Sequence, residues 1–591
     1  MVWDAGAREA PARARSLVDY LEAHADEIRA RYLAWVHELG ELVVNGLPLR
    51  ERFAFADGVN LWSMSVFVEQ SPWRQRSVEP ILKVMAFELL LERESPSSVR
   101  YCGDAALAQV LRAVCARRGV ACETDILPTQ TSKAGESWRH RLPQSLQAML
   151  GIVYLAVTRL PLRIARRAAG DARKRILISA PYFNHNGREA GARDFESKFW
   201  TALPATLEAG GYEVTWLHSF YAHAAAPRVA DAQEQIARLN QSHGSRGRHL
   251  LLDSFLTLRG LFRIAGRACV IAGRSFTAAR ALRARVPYWP LMKADWAKAF
   301  RGAGCVENLM FSECFDRALE SLPRQDEGLY LMECQGWERA LCHAWRRRGH
   351  GRLAGSLHST IRYWDLRYHC DPRRYEGSPH RLPEPDVVVA NGRAACRQYL
   401  STCSGREDVY EAEAVRYLHL GNPAAAPSVP SGILVVGDYL QESTDSVMKL
   451  VEEACADTGT ALEIRVKPHP NSPVVSSRFP RIHFSVAAGN VADLARASRI
   501  VISGNLTSAA VDAYVAGACV LVQDDGRGPN YSPLRGEPGV TFVRTAAELR
   551  DAISAVGVSL PVASARTDFF HTDAGLPRWR RYFGIQQRDA A

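Results

Sequence analysis

Five short apolar, β-branched runs occupy the C-terminal part of this chain: Ile433-Leu-Val-Val-Gly437, Leu462 to Val466, Ile500 to Ser503, Cys519 to Gln523 and Val540 to Val543. Each is separated from the next by a helix or a loop, and runs of this kind read as strands of a parallel sheet buried on both faces. An earlier series has the same character: Arg175-Ile-Leu-Ile-Ser-Ala180, Glu213-Val-Thr-Trp-Leu217, Gly328 to Met332, Arg352 to Ser356, Asp386 to Ala390 and Val415 to His419. Helices such as Asp194 to Ala209 and Trp337 to Arg348 alternate with them. The expected fold class is α/β, with two Rossmann-like doubly wound domains facing a cleft and a helical N-terminal extension.

A chain of 591 residues is too long for one ordinary core. Gly421 to Gly432, rich in proline and small residues, is the best linker. Residues 1–425 are therefore expected to form a helical region plus one α/β domain, residues 426–565 a second α/β domain, and residues 566–591 a helix crossing back to the first. Periodic apolar positions (Leu17, Val18, Leu21; Leu82, Val84, Met85, Leu89, Leu90) predict helices between residues 10 and 95. Ser98 to Cys102, a helix from Ala105 to Arg118 and Val120 to Glu123 predict a strand-helix-strand unit where Rossmann-like character begins.

The amino terminus lacks the apolar core of a signal peptide, and no run reaches the roughly 18 apolar residues that span a bilayer, so a cytoplasmic protein is expected. Thirteen cysteines show no Cys-x-x-Cys pair and no zinc spacing, and read as reduced core residues. The net charge of +11 is concentrated between Arg139 and Arg175, where nine basic residues face Asp171 alone. Inside that window Leu146 to Val157 is apolar. Two readings stand: a core helix with a solvated basic tail, or a helix lying on an anionic membrane surface at the inner face of the cell membrane. Nucleic acid is not an expected partner, because no RNP, KH, zinc-finger or helix-turn-helix signature is present.

Arg465-Val-Lys-Pro-His-Pro470 and Ser498 to Ser508 are two strand-to-loop turns. Lys467 and His469 share alternation parity and face one side. Ser503, Gly504, Asn505, Thr507 and Ser508 open a helix after a strand, where free amides and hydroxyls receive a phosphate. The plainer readings are a proline-bounded turn and an ordinary helix cap. Neither Gly-x-Gly-x-x-Gly nor a Walker loop occurs. In the first domain Glu333 and His358 follow strands, and Glu333 there either accepts a hydroxyl proton or caps a helix. Glu338, Arg362, Asp365 and Arg367 either touch an acceptor or form a buried salt-bridge network. Asp524-Asp-Gly526 has turn chemistry. The absence of Asp-x-Asp predicts metal-independent catalysis without a cofactor.

The residues Glu333-Cys-Gln-Gly-Trp-Glu338, His358 to Tyr368, Pro385 to Gly392, Glu413 to Tyr417, Lys467-Pro-His-Pro470 and Leu576-Pro-Arg-Trp579 carry a resemblance. The chain resembles glycosyltransferases of the family B (GT-B) fold, and more closely a bacterial surface-carbohydrate (O-antigen) biosynthesis family. These motifs span less than half of the chain. The His-Pro pair with its Ser/Thr-rich strand end is similar to that of sialyl- and Kdo-transferases and of CDP-glycerol polymerases. The resemblance implies that His469, Ser503, Thr507 and Ser508 hold the phosphate of a cytidine nucleotide. It implies a glycosyltransferase that moves a sugar from a CMP-linked donor to a surface-polysaccharide or lipid-linked glycan acceptor, with the acceptor in the first domain and the nucleotide in the second. Sialyltransferases keep an Asp/Glu-Asp/Glu-Gly base in the first domain, whereas Asp524-Asp-Gly526 lies in the second, so Asp524 is not assigned that role. The alternatives are a CDP-alditol phosphotransferase, a sugar-nucleotide epimerase and a non-catalytic polysaccharide assembly factor.

Overall fold

The computed structural model describes residues 3, 15–127, 142–164, 174–181, 195–241, 247–374, 382–403, 406, 408–421, 430–456, 463–556 and 568–586. Most of the expected linker, the loop after Pro181, and Arg139, Arg141, Arg166, Arg167 and Arg173 of the basic window lie outside the described residues.

Seven parallel strands form the first sheet: β1 (Lys174–Pro181), β2 (Tyr212–Ser219), β3 (Arg248–Leu251), β4 (Glu327–Leu331), β5 (Arg352–Ser356), β6 (Val387–Ala390) and β7 (Val409–Glu411). Their spatial order is β3-β2-β1-β4-β5-β6-β7. Alternation along the strands divides the apolar side chains between two cores. Ile176, Ile178, Val214, Trp216, Leu329 and Ala354 face one, and Leu177, Leu217, Tyr330 and Leu353 the other.

The second sheet has six parallel strands: β8 (Ile433–Val436), β9 (Ile464–Lys467), β10 (Ser485–Val486), β11 (Ile500–Gly504), β12 (Cys519–Gln523) and β13 (Val540–Val543). Their order is β10-β9-β8-β11-β12-β13. Leu434, Val436, Val501, Val520 and Val522 enter one core, and Ile433, Val435, Ile500, Ile502 and Leu521 the other. Both sheets are doubly wound, and their strand order reverses between β1 and β4 and between β8 and β11. A crevice opens at the carboxyl ends of strands at such a reversal.

The structure departs from the sequence reading in three places. Ser98–Gly103 and Ala121–Ile126 pair in parallel with each other only. Neither strand buries a residue fully, so no apolar face recruits a third strand. Val415–Leu420 is a 3-10 helix that buries Val415, Tyr417 and Leu420, and Tyr417 stacks on Phe570 at 4.2 Å. The edge strand is instead the more polar β7. Between β3 and β4 the chain inserts three helices, Leu258–Arg285, Trp289–Arg301 and Ala303–Ser321. With the N-terminal helices Ala25–Glu41 and Val78–Glu94 they build the largest core.

Two devices tie the domains together. Glu22 of the helical extension accepts the Trp364 Nε1–H at 2.8 Å from the first domain. It also accepts the Asn530 amide at 2.7 Å and stands 2.9 Å from the Arg535 guanidinium, both of the second domain. At the other end, Phe569 and Phe570 enter a core of the second sheet while Leu576, Trp579 and Phe583 enter a core of the first. The Glu413 carboxylate accepts the Arg578 and Trp579 amides at 3.0 and 3.1 Å, which satisfies the open N-terminus of the helix Pro577–Tyr582. Trp579 is 1% exposed, so Trp579→Ala is expected to cost about 3–5 kcal/mol. Denaturant unfolding of the two proteins checks this.

Candidate functional site

β4 delivers Glu333 to the reversal point of the first sheet. Beyond Leu331 the chain turns through Cys334, whose φ of +59° is unusual for a residue with a side chain, and enters the helix Gly336–Arg347. The buried Glu338 carboxylate makes that turn: it accepts the amides of Glu333, Cys334 and Gln335 at 2.9, 3.0 and 2.9 Å. Burial pushes its pKa up to about 8 against the Gln335 and Glu333 amides, which favour the ionised form. Glu338 therefore shapes the loop and has no side left for an acceptor.

The Glu333 side chain stays one-third exposed. Its Oε2 accepts from Gln335 Nε2 at 2.5 Å and lies 3.4 Å from Arg367, while Oε1 lies 3.4 Å from His358 Nε2. Arg367 is itself bidentate to the buried Asp365, at 2.8 Å twice. Burial, reinforced by the Arg416 and Arg367 charges, pulls the His358 pKa down to about 3. The imidazole is therefore neutral, and its approach to Glu333 is not an ion pair.

Two residues of this cluster come from the helical extension and were not anticipated. Glu69 is 3% exposed and accepts from Arg74 at 3.1 Å. Burial pushes it up to about 6, with Arg74 and Arg367 pulling the other way. Trp73 presents its ring to Arg362 and Arg367 at 5.5 and 5.4 Å, and reaches Tyr531 of the second domain at 5.8 Å. Leu61 to Gln70 mixes aromatics with the Glu69 carboxylate, but nothing in its spacing links it or Trp73 to β4.

In the second domain Lys467 stands opposite Val436, and Val436 opposite Ser503, so three strand ends are level. A Cβ on Gly437 would come within 3.0 Å of the His469 nitrogen and 3.2 Å of Pro468 Cα. Glycine is what lets the Pro468-His469 turn lie over β8. His469 Nδ1 accepts the Asn471 amide at 3.1 Å, which leaves Nε2 as the outward donor. The Ser503 hydroxyl is buried and has no partner among the described residues. Thr507 accepts the Ala509 amide at 3.3 Å, so it caps the helix Ala509–Val515, while Asn505 and Ser508 remain accessible.

Asp438, also not anticipated, lies at the reversal point between β8 and β11. It accepts the Tyr439 amide at 2.6 Å and the Ser443 hydroxyl at 3.3 Å, and burial raises its pKa. A carboxylate there opposes a phosphate, and the charge facing it comes from across the cleft. Arg362 donates to the Leu506 carbonyl at 2.8 Å and feels both Asp365 and Asp438. Glu333, Arg367 and Asp365 thus form a salt-bridge chain, and Arg362 beside it reaches the second domain through the Leu506 carbonyl. Asp524 pairs with Arg544 at 2.8 Å. A cavity of about 1080 Å³ lies apart from the cleft, and Arg50 and Arg373 in its lining are engaged, with Glu41 at 2.6 Å and with Asp371 at 2.8 Å.

No protein-family model and no curated protein matches the chain. Among solved structures it is similar to the calicheamicin glycosyltransferase CalG4, with 12% identity over 67% of this chain and 94% of that chain and a TM-score of 0.35. It is similar to Acinetobacter baumannii MurG, with 13% identity over 69% and 98% and a TM-score of 0.32. It is also similar to a UDP-GlcNAc 2-epimerase from Neisseria meningitidis, with 10% identity over 67% and 97% and a TM-score of 0.35. Overlaps this loose carry no argument about activity, which rests on the chain's own topology and site.

The environment of Glu69 has a consequence for stability. Its folded pKa, about 6, lies above the ordinary value of 4.5, so the folded state holds the proton longer. That contribution is present below pH 4.5 and lost as the pH rises through about 6. Relative to Glu69→Gln, the native protein is expected to lose about 2 kcal/mol across that window, at about 1.4 kcal/mol per pKa unit. Melting temperatures of both proteins against pH check it.

Proposed function

We propose that this protein is a glycosyltransferase that moves a sugar from a nucleotide donor to a glycan acceptor. The observation that supports this most is the accessible Glu333 carboxylate at the reversal point of one doubly wound sheet, connected through Arg362 to the Lys467, His469 and Ser503 to Ser508 strand ends of the other. An acceptor hydroxyl placed against Glu333 gives up its proton to that carboxylate. Its oxygen bonds to the anomeric carbon as the bond to the donor phosphate breaks, and the electron pair departs on the phosphate oxygen. Lys467, the His469 Nε2–H, the Ser508 hydroxyl and Arg362 supply cations and donors for that developing charge. Neutral His358 orients Glu333 and takes no proton in this reaction. The exposed face of Trp73 is placed to stack against a sugar ring.

The resemblance of the His469 and Ser503 to Ser508 motifs to those of cytidine-nucleotide transferases makes a CMP-linked donor our reading. The same resemblance makes a surface-polysaccharide or lipid-linked glycan the acceptor. No step requires a metal ion.

Glu333→Gln is expected to lower turnover by roughly 10²-fold or more while nucleotide binding persists, because the base acts only in the transition state. Single-turnover assays with a CMP-sugar and isolated lipid-linked glycan check the first part. His469→Ala and Arg362→Met are expected to weaken nucleotide binding. In a thermal-shift series with CMP, CDP, UDP, GDP and dTDP, saturation at about a hundred times the dissociation constant stabilises the native protein by about 2.7 kcal/mol, and both variants lose most of that. Absence of a shift with every nucleotide overturns the reading, and turnover of a nucleotide sugar without acceptor replaces it with an epimerase.

A further inference from the structure

The helix Leu258–Arg285 contains seven arginines and no acidic residue. At about 1.5 Å per residue it runs for about 42 Å. Its inner arginines hold the fold together: Arg263 pairs with Glu313 at 2.9 Å, Arg267 with Asp57 at 2.5 Å, and Arg274 donates to the Arg52 and Ala54 carbonyls at 3.1 and 2.9 Å. Arg259, Arg280 and Arg283 are exposed and make no ion pair among the described residues. Leu258, Phe262 and Phe276 are 58, 70 and 57% exposed. Such side chains at helical spacing are ordinarily turned into a core.

A second helix adds apolar surface, its one basic residue, Arg159, being buried against Asp253 at 3.1 Å. Gln144–Arg159 packs against the first and also has no acidic residue. It buries only Leu155 and Arg159, and leaves Met149, Val153, Tyr154 and Val157 more than half exposed. Leu155 joins the largest core, with Ala148, Ile152, Ala156 and Leu160 packed against it, so the helix is seated on the core by one face and bare on the other. A third helix in the group, Trp289–Arg301, exposes Lys293 and Lys298, while its one acid, Asp295, is buried and accepts the Ser77 amide at 3.0 Å. Together the exposed surfaces of the three helices combine the large apolar side chains of the first two with the basic ones of Leu258–Arg285 and Trp289–Arg301, and contain no carboxylate.

From this we propose that helices Gln144–Arg159 and Leu258–Arg285 form a docking face for an anionic lipid bilayer. Charge complementarity selects that occupant: positive charge without a single exposed acid matches a surface that is uniformly negative, and the aromatic and aliphatic side chains between the arginines enter the headgroup and acyl boundary. No helix of the described residues is long and apolar enough to cross a membrane, so attachment is from one side. The face lies one helix from the cleft. Ala303–Ser321 packs against both docking helices and, on its other side, donates from Asn308 to the Met64 carbonyl at 2.8 Å beside Gly336, which follows the Glu333 loop. The inference is independent of the proposed transfer reaction.

The test is co-sedimentation of the full chain with vesicles of phosphatidylcholine alone and of phosphatidylcholine mixed with phosphatidylglycerol, at low and high salt. The native protein is expected on the mixed vesicles only and to be released by salt. Arg280→Gln with Arg283→Gln is expected to lower vesicle affinity roughly tenfold or more, and Phe262→Ser with Phe276→Ser to lower it with unchanged melting temperature, since all four side chains are exposed. Equal recovery with both vesicle types, or none with either, overturns the proposal. So does a concentration-dependent dimer in light scattering that the Phe262→Ser, Phe276→Ser protein no longer forms, which would assign the face to a second copy of the chain.

Discussion

The Glu338 carboxylate is the interaction on which the geometry of the first domain depends. Three consecutive amides converge on it, and the turn they make has only a few residues in which to reverse the chain from β4 into a helix. Holding Cys334 in a left-handed conformation costs of order 1–3 kcal/mol, which hydrogen bonds from three amides offset. The result fixes where the Glu333 side chain leaves the backbone, and through it the distances to His358 and Arg367. A buried acid with no solvent contact here sets the position of an exposed one.

Charge within the cleft is arranged in series. Glu69, Glu333, Asp365 and Asp438 alternate with Arg74, Arg367 and Arg362, so each carboxylate has a guanidinium on at least one side. Buried pairs of this kind add little net stability, because desolvation cancels much of the attraction, but they hold side chains in one arrangement. An anionic ligand arriving at the second domain joins the end of this series and draws on Arg362, which is shared by both sheets.

Strands were legible where both faces are buried, because unbroken β-branched runs such as Ile433 to Val436 and Ile500 to Ser503 have one simple reading. Edge strands were less so: Val540 to Val543 was read as β13, but β7 and β10 are short and half-polar, and their pairing comes from neighbours far away in sequence. The three helices between β3 and β4 escaped notice because Leu258 to Arg285 keeps apolar residues on its outer face as well, which blurs the periodicity that marks an ordinary amphipathic helix. Within the site, residues that follow strands were visible from their position alone. Glu69, Trp73 and Asp438 were not, since Glu69 and Trp73 reach the cleft from a separate helical region and Asp438 looks like any turn aspartate until Gly504 and Arg362 close around it.

The three contacts of Glu22 give the molecule an unusual mechanical property. A carboxylate from the helical extension holds Trp364 on one side and Asn530 with Arg535 on the other, so the two sheets are pinned by a third body. A wide swing of one sheet away from the other would strand that charge without partners. Glu22 therefore acts as a brace against opening of the cleft, and any such opening has to give up its bonds to Trp364 or to Asn530 and Arg535.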